Sequence, residues 1–352
     1  MNLNRRTALS AFGATSLAAL LSACSTGSSS DKKGSGSGEG SSDSQYPVTV
    51  KHAFGETKIE KRPTRVATVS WVNADVVLAL GVVPVGMAED SFGQNSNKSL
   101  PWKDEALKKL GAEIGTDKAP VQYSEADGIN FDAIAKVTPD LIIGTYSGMS
   151  KDDYQKLSKI APTLAYPELA YGTSWEDSLT TIGKALGKNA EAEKLLKEKK
   201  EKLEQVAKDH PEFKGKSFVF ATLEPGKTDG ITAYSSTDNR PRFMESIGLK
   251  QAPVIAEAEK KQKASFSVPF SAENASKLDA DVLVSWVADA KAADAIKKDK
   301  LLSQIPAVKK GAAVFDSDNT NTIALSAISV LSIDYAIEKW VPKIADALKA
   351  SK

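Results

Sequence analysis

The fold is decided by the stretch NFDAIAKVTPDLII, residues 130–143, because a partial copy of it occurs later in the chain. The copy is SAENASKLDADVLV, residues 271–284. When the two are aligned without gaps, a helix-capping residue matches a helix-capping residue, Asp132 matches Glu273, and each piece ends on three aliphatic residues. Both predict a short helix, a turn and a buried strand. The match indicates two similar halves, although αβ units share generic patterning and a chance match is the alternative.

A second pair of segments supports the repeat. DVVLALGVVPV (75–85) and RFMESIGLKQAP (242–253) each predict a helix that is ended by a glycine, Gly81 in one and Gly248 in the other. Each helix begins shortly after the first predicted strand of its half. The two pairs together predict one α/β unit that occurs twice.

Short aliphatic runs alternate with helical patterns along the whole body of the chain, which is typical of an α/β fold with a largely parallel, buried sheet. We therefore predict two α/β lobes, 47–172 and 215–352, with a ligand cleft between them. A helical connection, 173–214, joins the lobes and contains one long backbone helix near 189–209. The predicted strands are 65–70, 141–144, 217–222, 282–286 and 312–316, and the predicted helices include 74–80, 131–137, 175–186, 242–247 and 324–341.

Aromatic and polar residues follow the ends of the predicted strands. In open α/β sheets, ligands bind beyond the carboxyl ends of the strands, so two facing lobes place these residues around one cleft. Aromatic rings with an arginine pair suit a bulky, partly aromatic or anionic ligand; the alternative is ordinary packing. The candidate ligand-binding residues are Trp71, Asn73, Tyr146, Tyr234, Arg240, Arg242, Trp286 and Asn319.

The N-terminus predicts export and lipidation. Arg5 and Arg6 precede an uncharged stretch, residues 8–23, which is too short and too rich in alanine for a comfortable membrane span. Cys24, the only cysteine, follows small residues and precedes a Ser/Gly-rich stretch. We predict a signal peptide over 1–23, a lipidated cysteine at 24 and a flexible tether over 24–46. The arginine pair is also compatible with twin-arginine export.

The composition excludes several classes of function. The 46 basic and 45 acidic residues nearly cancel, and removal of 1–23 takes away two arginines and leaves 44 basic residues against 45 acidic ones. This balance gives no argument for nucleic-acid binding. With two histidines and one cysteine, the chain cannot build an ordinary zinc site. It also has no nucleophile elbow, P-loop or dinucleotide fingerprint, so we predict neither an enzyme nor a directly bound metal or cofactor.

The chain resembles the substrate-binding lipoproteins of iron–siderophore ABC importers, which are helical-backbone binding proteins related to the vitamin B12-binding protein. The resemblance implies an extracytoplasmic receptor, anchored to the outer face of the membrane by its lipid, that binds a ferric siderophore as a monomer and delivers it to an ABC permease dimer. It also implies that Asp132 and Glu273, one per lobe, dock onto permease arginines, although Asp132 is shorter than the usual Glu. The segments that carry the resemblance are RPTRVATVSWVNADVVLALGVVPVGM (62–87), INFDAIAKVTPDLIIGTYSGMS (129–150), YQKLSKIAPTLAYP (154–167) and DNRPRFMESIGLK (238–250).

Two alternatives stay open at this point. A haem or cobalamin receptor of the same fold is one, since Tyr146 or Tyr234 is a possible haem ligand. An exported lipoprotein that acts as a hydrolase or an adhesin is the other. For the siderophore itself, Tyr146, Arg240 and Arg242 slightly favour an anionic complex, and a neutral ferric hydroxamate stays open as the alternative.

Overall fold

The structure is a computed structural model, and it describes residues 45–350. The predicted signal peptide (1–23), the predicted lipidation site Cys24 and nearly all of the predicted tether (24–46) lie outside the described residues.

The first lobe is built on a five-stranded, wholly parallel sheet with strand order β5-β4-β3-β6-β7. An antiparallel hairpin of β1 and β2 precedes it. Strands β3 and β6 are buried along their whole length because helices cover both faces of a parallel sheet. The elements are β1 (Val48–His52), β2 (Gly55–Ile59), β3 (Val66–Thr68), α1 (Asn73–Ala79), β4 (Gly86–Ala88), α2 (Pro101–Lys109), β5 (Val121–Tyr123), α3 (Phe131–Lys136), β6 (Leu141–Ile143), α4 (Lys151–Leu157) and β7 (Thr163–Leu164).

Two helices connect the lobes, α5 (Trp175–Leu186) and α6 (Asn189–Asp209). Helix α5 begins where the Ser174 side chain accepts a hydrogen bond from the Asp177 amide, and it ends at Gly187, which has a φ of 69°. Helix α6 is the predicted backbone helix with the predicted bounds.

The second lobe is built on a six-stranded mixed sheet with strand order β11-β9-β8-β12-β13, in which β10 also pairs with β8. Strands β9 and β11 run antiparallel to their neighbours, because the connection from β8 to β9 is too short for a crossover. The elements are β8 (Ser217–Leu223), β9 (Ile231–Tyr234), α7 (Asn239–Ser246), β10 (Lys250–Gln251), α8 (Pro253–Glu259), β11 (Ser267–Phe270), β12 (Val282–Trp286), α9 (Ala290–Lys298), α10 (Pro306–Lys309), β13 (Ala313–Asp316), α11 (Asn319–Ser326) and α12 (Ile333–Ala350).

The prediction of one helix over 324–341 is wrong. The chain leaves the helical conformation after α11, and six residues separate the end of α11 from the start of α12. In this break, the Ser329 amide donates to the Ser332 hydroxyl at 2.9 Å and the Ser332 amide donates to the Ser329 hydroxyl at 3.1 Å. These local bonds compete with helical ones.

The repeated segments have matching roles in the two lobes. Asp140 accepts hydrogen bonds from the Thr64 and Arg65 amides, just before β3. Asp281 accepts one from the Ser217 amide, at the start of β8. The helix before each aspartate differs in kind, since the second copy is a 3-10 helix. The glycines that end α1 and α7, Gly81 and Gly248, both have positive φ, 78° and 103°.

The largest hydrophobic cluster combines residues of both lobes around the fully buried Trp340. The lobe boundaries given above remain a prediction. None of the helices between residues 45 and 350 is both long and apolar enough to cross a bilayer.

Candidate ligand-binding site

A cavity of about 460 Å³ is lined by residues of both lobes. Half of its lining residues are aromatic, so the cavity offers flat apolar surfaces with a few polar atoms. Five of the predicted residues line it, Trp71, Tyr146, Tyr234, Arg240 and Trp286. The other lining residues are Phe92, Tyr171, Thr222, Asp238, Phe266, Thr322, Ile323, Ser326 and Ala327.

On the first-lobe wall, Trp71 stacks on Tyr171, with ring centroids 5.8 Å apart and an angle of 18°. Tyr146 meets Tyr171 edge to face at 5.7 Å. Tyr171 itself has a φ of 57°, and Ser70, just before Trp71, has a φ of 63°. Left-handed backbone at residues other than glycine costs about 1–3 kcal/mol each and is concentrated at ligand clamps. The strain at Ser70 and Tyr171 therefore makes this aromatic pair a candidate functional feature.

Two buried ionisable side chains hold the backbone on either side of Trp71. The Ser70 amide donates to Glu125 Oε2 at 2.9 Å, and Lys103 Nζ donates to the Trp71 carbonyl at 3.3 Å. Burial raises the pKa of Glu125 to about 7, although the bond from Ser70 acts in the opposite direction. Fixing both peptide groups fixes the backbone from which the Trp71 side chain projects towards Tyr171.

Lys103 is completely buried and is held by two buried carboxylates. Its Nζ lies 2.6 Å from Asp90 Oδ2 and 3.6 Å from Asp75 Oδ1. Burial by itself would lower the pKa of Lys103, but the two carboxylates outweigh it and raise the pKa above its usual value. Asp75 also accepts a hydrogen bond from Ser329 of the second lobe at 2.6 Å, so this ionic cluster bridges the lobes below the cavity.

On the second-lobe wall, Arg240 is fixed by two neighbours. Its Nε and Nη2 donate to the two carboxylate oxygens of Asp238 at 2.8 and 3.0 Å. Its guanidinium carbon lies 3.4 Å from the centroid of the Tyr234 ring, a close cation–π contact. The Tyr234 hydroxyl pairs with the Thr222 hydroxyl at 2.8 Å.

The lobes touch at the rim of the cavity. Trp286 Nε1 donates to Asn319 Oδ1 at 3.0 Å, and Phe92 meets the Trp286 ring at 6.1 Å. The Thr320 hydroxyl donates to the Gly93 carbonyl at 2.8 Å. Asn319 is exposed and does not line the cavity; in this arrangement it orients Trp286.

Two other candidate residues do not face the cavity. Asn73 is completely buried, and its amide bonds the Val69 and Tyr146 carbonyls and accepts from Thr145, so the protein itself satisfies that side chain. Arg242 donates to the Gly172 carbonyl at 2.8 Å and lines a different cavity with residues of α5 and α6. The expectation of direct ligand contact therefore does not fit the position of either residue. Of the two arginines that were expected to face the ligand, only Arg240 lines the cavity.

Four further residues line the cavity that were not predicted from the sequence: Phe92, Tyr171, Asp238 and Phe266. Phe92 follows β4 and Phe266 directly precedes β11, and neither strand was among those predicted. Tyr171 lies in the loop between β7 and α5, away from strand ends. Asp238 could have been identified from the sequence, because an aspartate just before a predicted helix is a favoured N-cap. It does cap α7, accepting from the Arg240 amide at 2.9 Å.

Outside the cavity, Asp132 and Glu273 are exposed in the first turns of α3 and of the 3-10 helix before β12. Among the described residues, no group of three or more His, Cys, Asp or Glu side chains is arranged to hold a metal ion.

Comparison with known proteins assigns the chain to a family. The model of a periplasmic binding protein family, Peripla_BP_2, matches residues 66–319. The chain is 28% identical to the "Fe(3+)-citrate-binding protein YfmC" of Bacillus subtilis (strain 168), over 86% of this chain and 88% of the relative. It is 30% identical to the "Putative ABC transporter substrate-binding lipoprotein YhfQ" of the same organism, over 84% of this chain and 85% of the relative.

The fold also matches a solved structure, that of PiaA from Streptococcus pneumoniae TIGR4 in complex with ferrichrome. The match has a TM-score of 0.79 and 37% identity, and it covers 86% of this chain and 99% of PiaA. The family model covers well over half of the chain, and the lobes, the backbone helix and the cleft agree with it. The protein belongs to the periplasmic binding protein family.

Proposed function

We propose that the protein is an extracytoplasmic receptor that captures a ferric siderophore in the aromatic cleft and delivers it to an ABC permease for iron uptake. The observation that carries this proposal is the cavity between the lobes, with aromatic rings contributed by both. Such rings pack against the organic shell of a chelate. The ferrichrome complex of PiaA and the name of the Fe(3+)-citrate-binding relative support a ferric chelate as the ligand.

The site fits iron that arrives already chelated. The described residues contain no cluster of metal-ligating side chains, and the cavity presents rings, hydroxyls and one ion pair. The protein therefore recognises the organic part of the chelate, and iron is transported as part of this ligand.

Attachment to the membrane would come from Cys24. Lipidation of this cysteine, after removal of residues 1–23, would leave a tether long enough for the lobes to move relative to the surface. A relative named as a substrate-binding lipoprotein supports this anchoring. The receptor would work as a monomer, with one docking acid per lobe for the two permease subunits.

Asp132 and Glu273 are the proposed docking acids. Both are exposed at corresponding positions of the repeat, which is what a permease with two-fold symmetry requires. An acid in a first helical turn is also stabilised by the helix dipole, by about 0.3–1 kcal/mol, so only a transport experiment separates docking from local stability.

The alternative functions have weaker support in the site. Burial raises the pKa of Tyr146, and its hydroxyl lies 3.4 Å from the Ser326 carbonyl, while the Tyr234 hydroxyl is paired with Thr222. Neither phenol is poised to ligate haem. For a hydrolase, the cavity offers no nucleophile with a neighbouring base, and the relatives reported above are named for binding. We therefore propose a receptor without catalytic activity.

The test is a titration of the mature chain with ferric hydroxamate, ferric catecholate, ferric citrate, haem and cobalamin, followed by tryptophan fluorescence. Trp71 and Trp286 line the cavity, so a bound ferric complex is expected to quench them. A Trp71→Ala variant with Trp286→Ala is the control, since the remaining tryptophans are buried elsewhere. Absence of binding by every ferric siderophore, or tighter binding of haem than of any of them, would reject the proposal.

A further inference from the structure

The charge of the cleft is controlled by one ion pair. Of the residues that line the cavity, only Asp238 and Arg240 carry a charge. They meet through two parallel hydrogen bonds of 2.8 and 3.0 Å, the geometry that pairs arginine with a carboxylate most strongly. Asp238 is only 2% exposed. The pair therefore contributes no net charge to the cavity.

Two lysines of the first lobe are also compensated, and Arg242 donates to the Gly172 carbonyl and lines a different cavity. Lys103 lies between Asp90 and Asp75, and Lys98 pairs with Glu89 at 2.9 Å. Behind the Trp71–Tyr171 pair lies a second cavity, of about 550 Å³, whose lining contains Glu125 and other carboxylates. Arg240 is thus the only cation among the residues that line the cleft, and the ionisable residues that line the second cavity are mainly acidic.

We infer that Asp238 determines the charge selectivity of the cleft, which favours neutral ferric trihydroxamates over the anionic complexes of catecholates and citrate. The inference rests on the proposed function and specifies its ligand class. Three hydroxamates cancel the charge of iron(III), whereas three catecholates leave a trianion. Burying an anion in a low-dielectric cavity requires an available cation, and Asp238 already occupies the only one on the wall.

The arrangement still lets Arg240 contact a neutral ligand. Asp238 occupies Nε and Nη2 of the guanidinium, and Tyr234 covers one face of it. The two hydrogen bonds to Asp238 come from Nε and Nη2, so Nη1 remains a donor for a hydroxamate or amide oxygen of the ligand. Asp238 thus leaves Arg240 as a hydrogen-bond donor and cancels its charge.

The substitution Asp238→Asn tests this directly and is expected to fold. Asparagine is as good an N-cap as aspartate, so the bond that starts α7 is retained. The variant leaves Arg240 with an uncompensated charge. We expect its affinity for the ferric tricatecholate of enterobactin to rise by about tenfold or more at low salt, and the gain to shrink as salt is added. The affinity for ferrichrome should stay within about threefold.

Two further variants separate charge from shape. Asp289→Asn removes another N-capping aspartate of the second lobe, at α9 and outside the cavity, and is expected to change no affinity. The double variant Asp238→Asn with Arg240→Gln is neutral again, and the gain for the tricatecholate should disappear. An unchanged ratio of tricatecholate to ferrichrome affinity in Asp238→Asn, or a gain that persists in the double variant, would overturn the inference.

A measurement without siderophore keeps this inference separate from the proposed function. Trp71 and Trp286 line the cavity, whereas Trp102, Trp175 and Trp340 are buried, so collisional quenching reports mainly on the cleft. Asp238→Asn should increase quenching by the anion iodide and leave quenching by neutral acrylamide unchanged. Equal iodide quenching in both proteins would refute the charge assignment even if the wild type bound no ferric complex. If the wild type bound none while iodide quenching did increase, the assignment of the cleft charge would stand and the proposed function would fall.

Discussion

Glu125 supports the cleft at a cost in stability, because its carboxylate is kept away from water. Its folded pKa of about 7 lies above the usual value of 4.5. Between these two values the folded chain binds more protons than the unfolded chain, so the free energy of unfolding falls as pH rises through this window. Above about pH 7 the loss is complete and stability no longer depends on this group.

The variant Glu125→Gln should remove that slope. The amide oxygen still accepts from the Ser70 amide, but there is no charge to bury. We expect the variant to be more stable than the wild type by on the order of 2 kcal/mol at about pH 8 and to lose this advantage towards pH 4.5. Urea unfolding across this range measures it, with Glu113→Gln as an exposed control. Stability curves that stay parallel for the wild type and Glu125→Gln would contradict the assignment.

At the residue scale, candidate ligand-binding residues could be chosen from the sequence because they follow predicted strands. Five of the eight candidates line the cavity. It could not separate Arg240 from Arg242, because both lie near the start of one predicted helix. The direction of each side chain depends on the packing of that helix. Asn73 was selected for a similar reason, since a polar residue after a strand is equally suited to binding a ligand or the backbone of the next loop, and in the structure it binds the backbone.

At the scale of elements, the repeat has a mechanical role in each lobe. Asp140 and Asp281 precede corresponding central strands, and each fixes the start of the neighbouring strand through backbone amides. Burial would raise the pKa of Asp281, but hydrogen bonds from Lys216 and Ser217 outweigh it and lower the pKa. The stabilisation is therefore present above the usual carboxyl pKa and is lost as pH falls through the lowered one.

Asp140→Ala and Asp281→Ala should each destabilise the protein by about 1–3 kcal/mol at neutral pH, because each leaves strand-start amides without an acceptor. The sites lie in different lobes, so the double variant should show the sum of the two losses. Denaturant unfolding tests both points, with Asp279→Ala as the control for a nearby exposed acid. If only one of the two single variants were destabilised, the two aspartates would not have the same structural role despite their matching positions in the repeat.

The elements themselves were largely predictable. Helices α5 and α6 have the predicted bounds because both have strong helical patterns and clear ends. The break between α11 and α12 was missed, since the apolar spacing continues across it and only the serine side chains interrupt the helix. The antiparallel β9 and β11 were missed because their short runs carry little periodicity.

At the scale of the whole molecule, Gly93 allows the lobes to meet. Its φ is 71°, and a Cβ there would lie 2.6 Å from the Asn319 carbonyl oxygen, which is backbone and cannot move aside cheaply. Gly111 has a similar φ of 65° but open space around it. Alanine would add similar backbone strain at both glycines. Only at Gly93 would its Cβ also clash with a neighbouring backbone.

Gly93→Ala should consequently cost more than Gly111→Ala, by about 1–3 kcal/mol of unfolding free energy. It should also weaken ferrichrome binding, because the rim with Trp286 and Asn319 is pushed away. Gly111→Ala should leave binding unchanged. Unfolding and fluorescence titration of the two variants measure both effects. Equal behaviour would show that the contact at Gly93 has no influence on the cleft.

The proposed docking acids are also a property of the whole molecule. Replacing Asp132 and Glu273 by Ala should leave siderophore affinity unchanged, since neither lines the cavity, and should abolish uptake in cells that depend on this receptor. Asp279→Ala with Asp294→Ala removes two other exposed acids as a control. Normal uptake by the Asp132/Glu273 double variant would show that these acids only stabilise the starts of their helices and do not dock onto the permease.

The sequence by itself determined the class of the fold, the two-lobed repeat and the long helix between the lobes, because periodicity, caps and glycines act over a few residues. Tertiary structure alone decided which side chains face the cleft and what charge it carries. Asp238 and Arg240 are near in sequence, but their pairing against Tyr234, and the turning away of Arg242, depend on how α7 packs on the sheet. Contacts between lobes, such as Ser329 with Asp75, join residues far apart in the chain, and no local pattern records them.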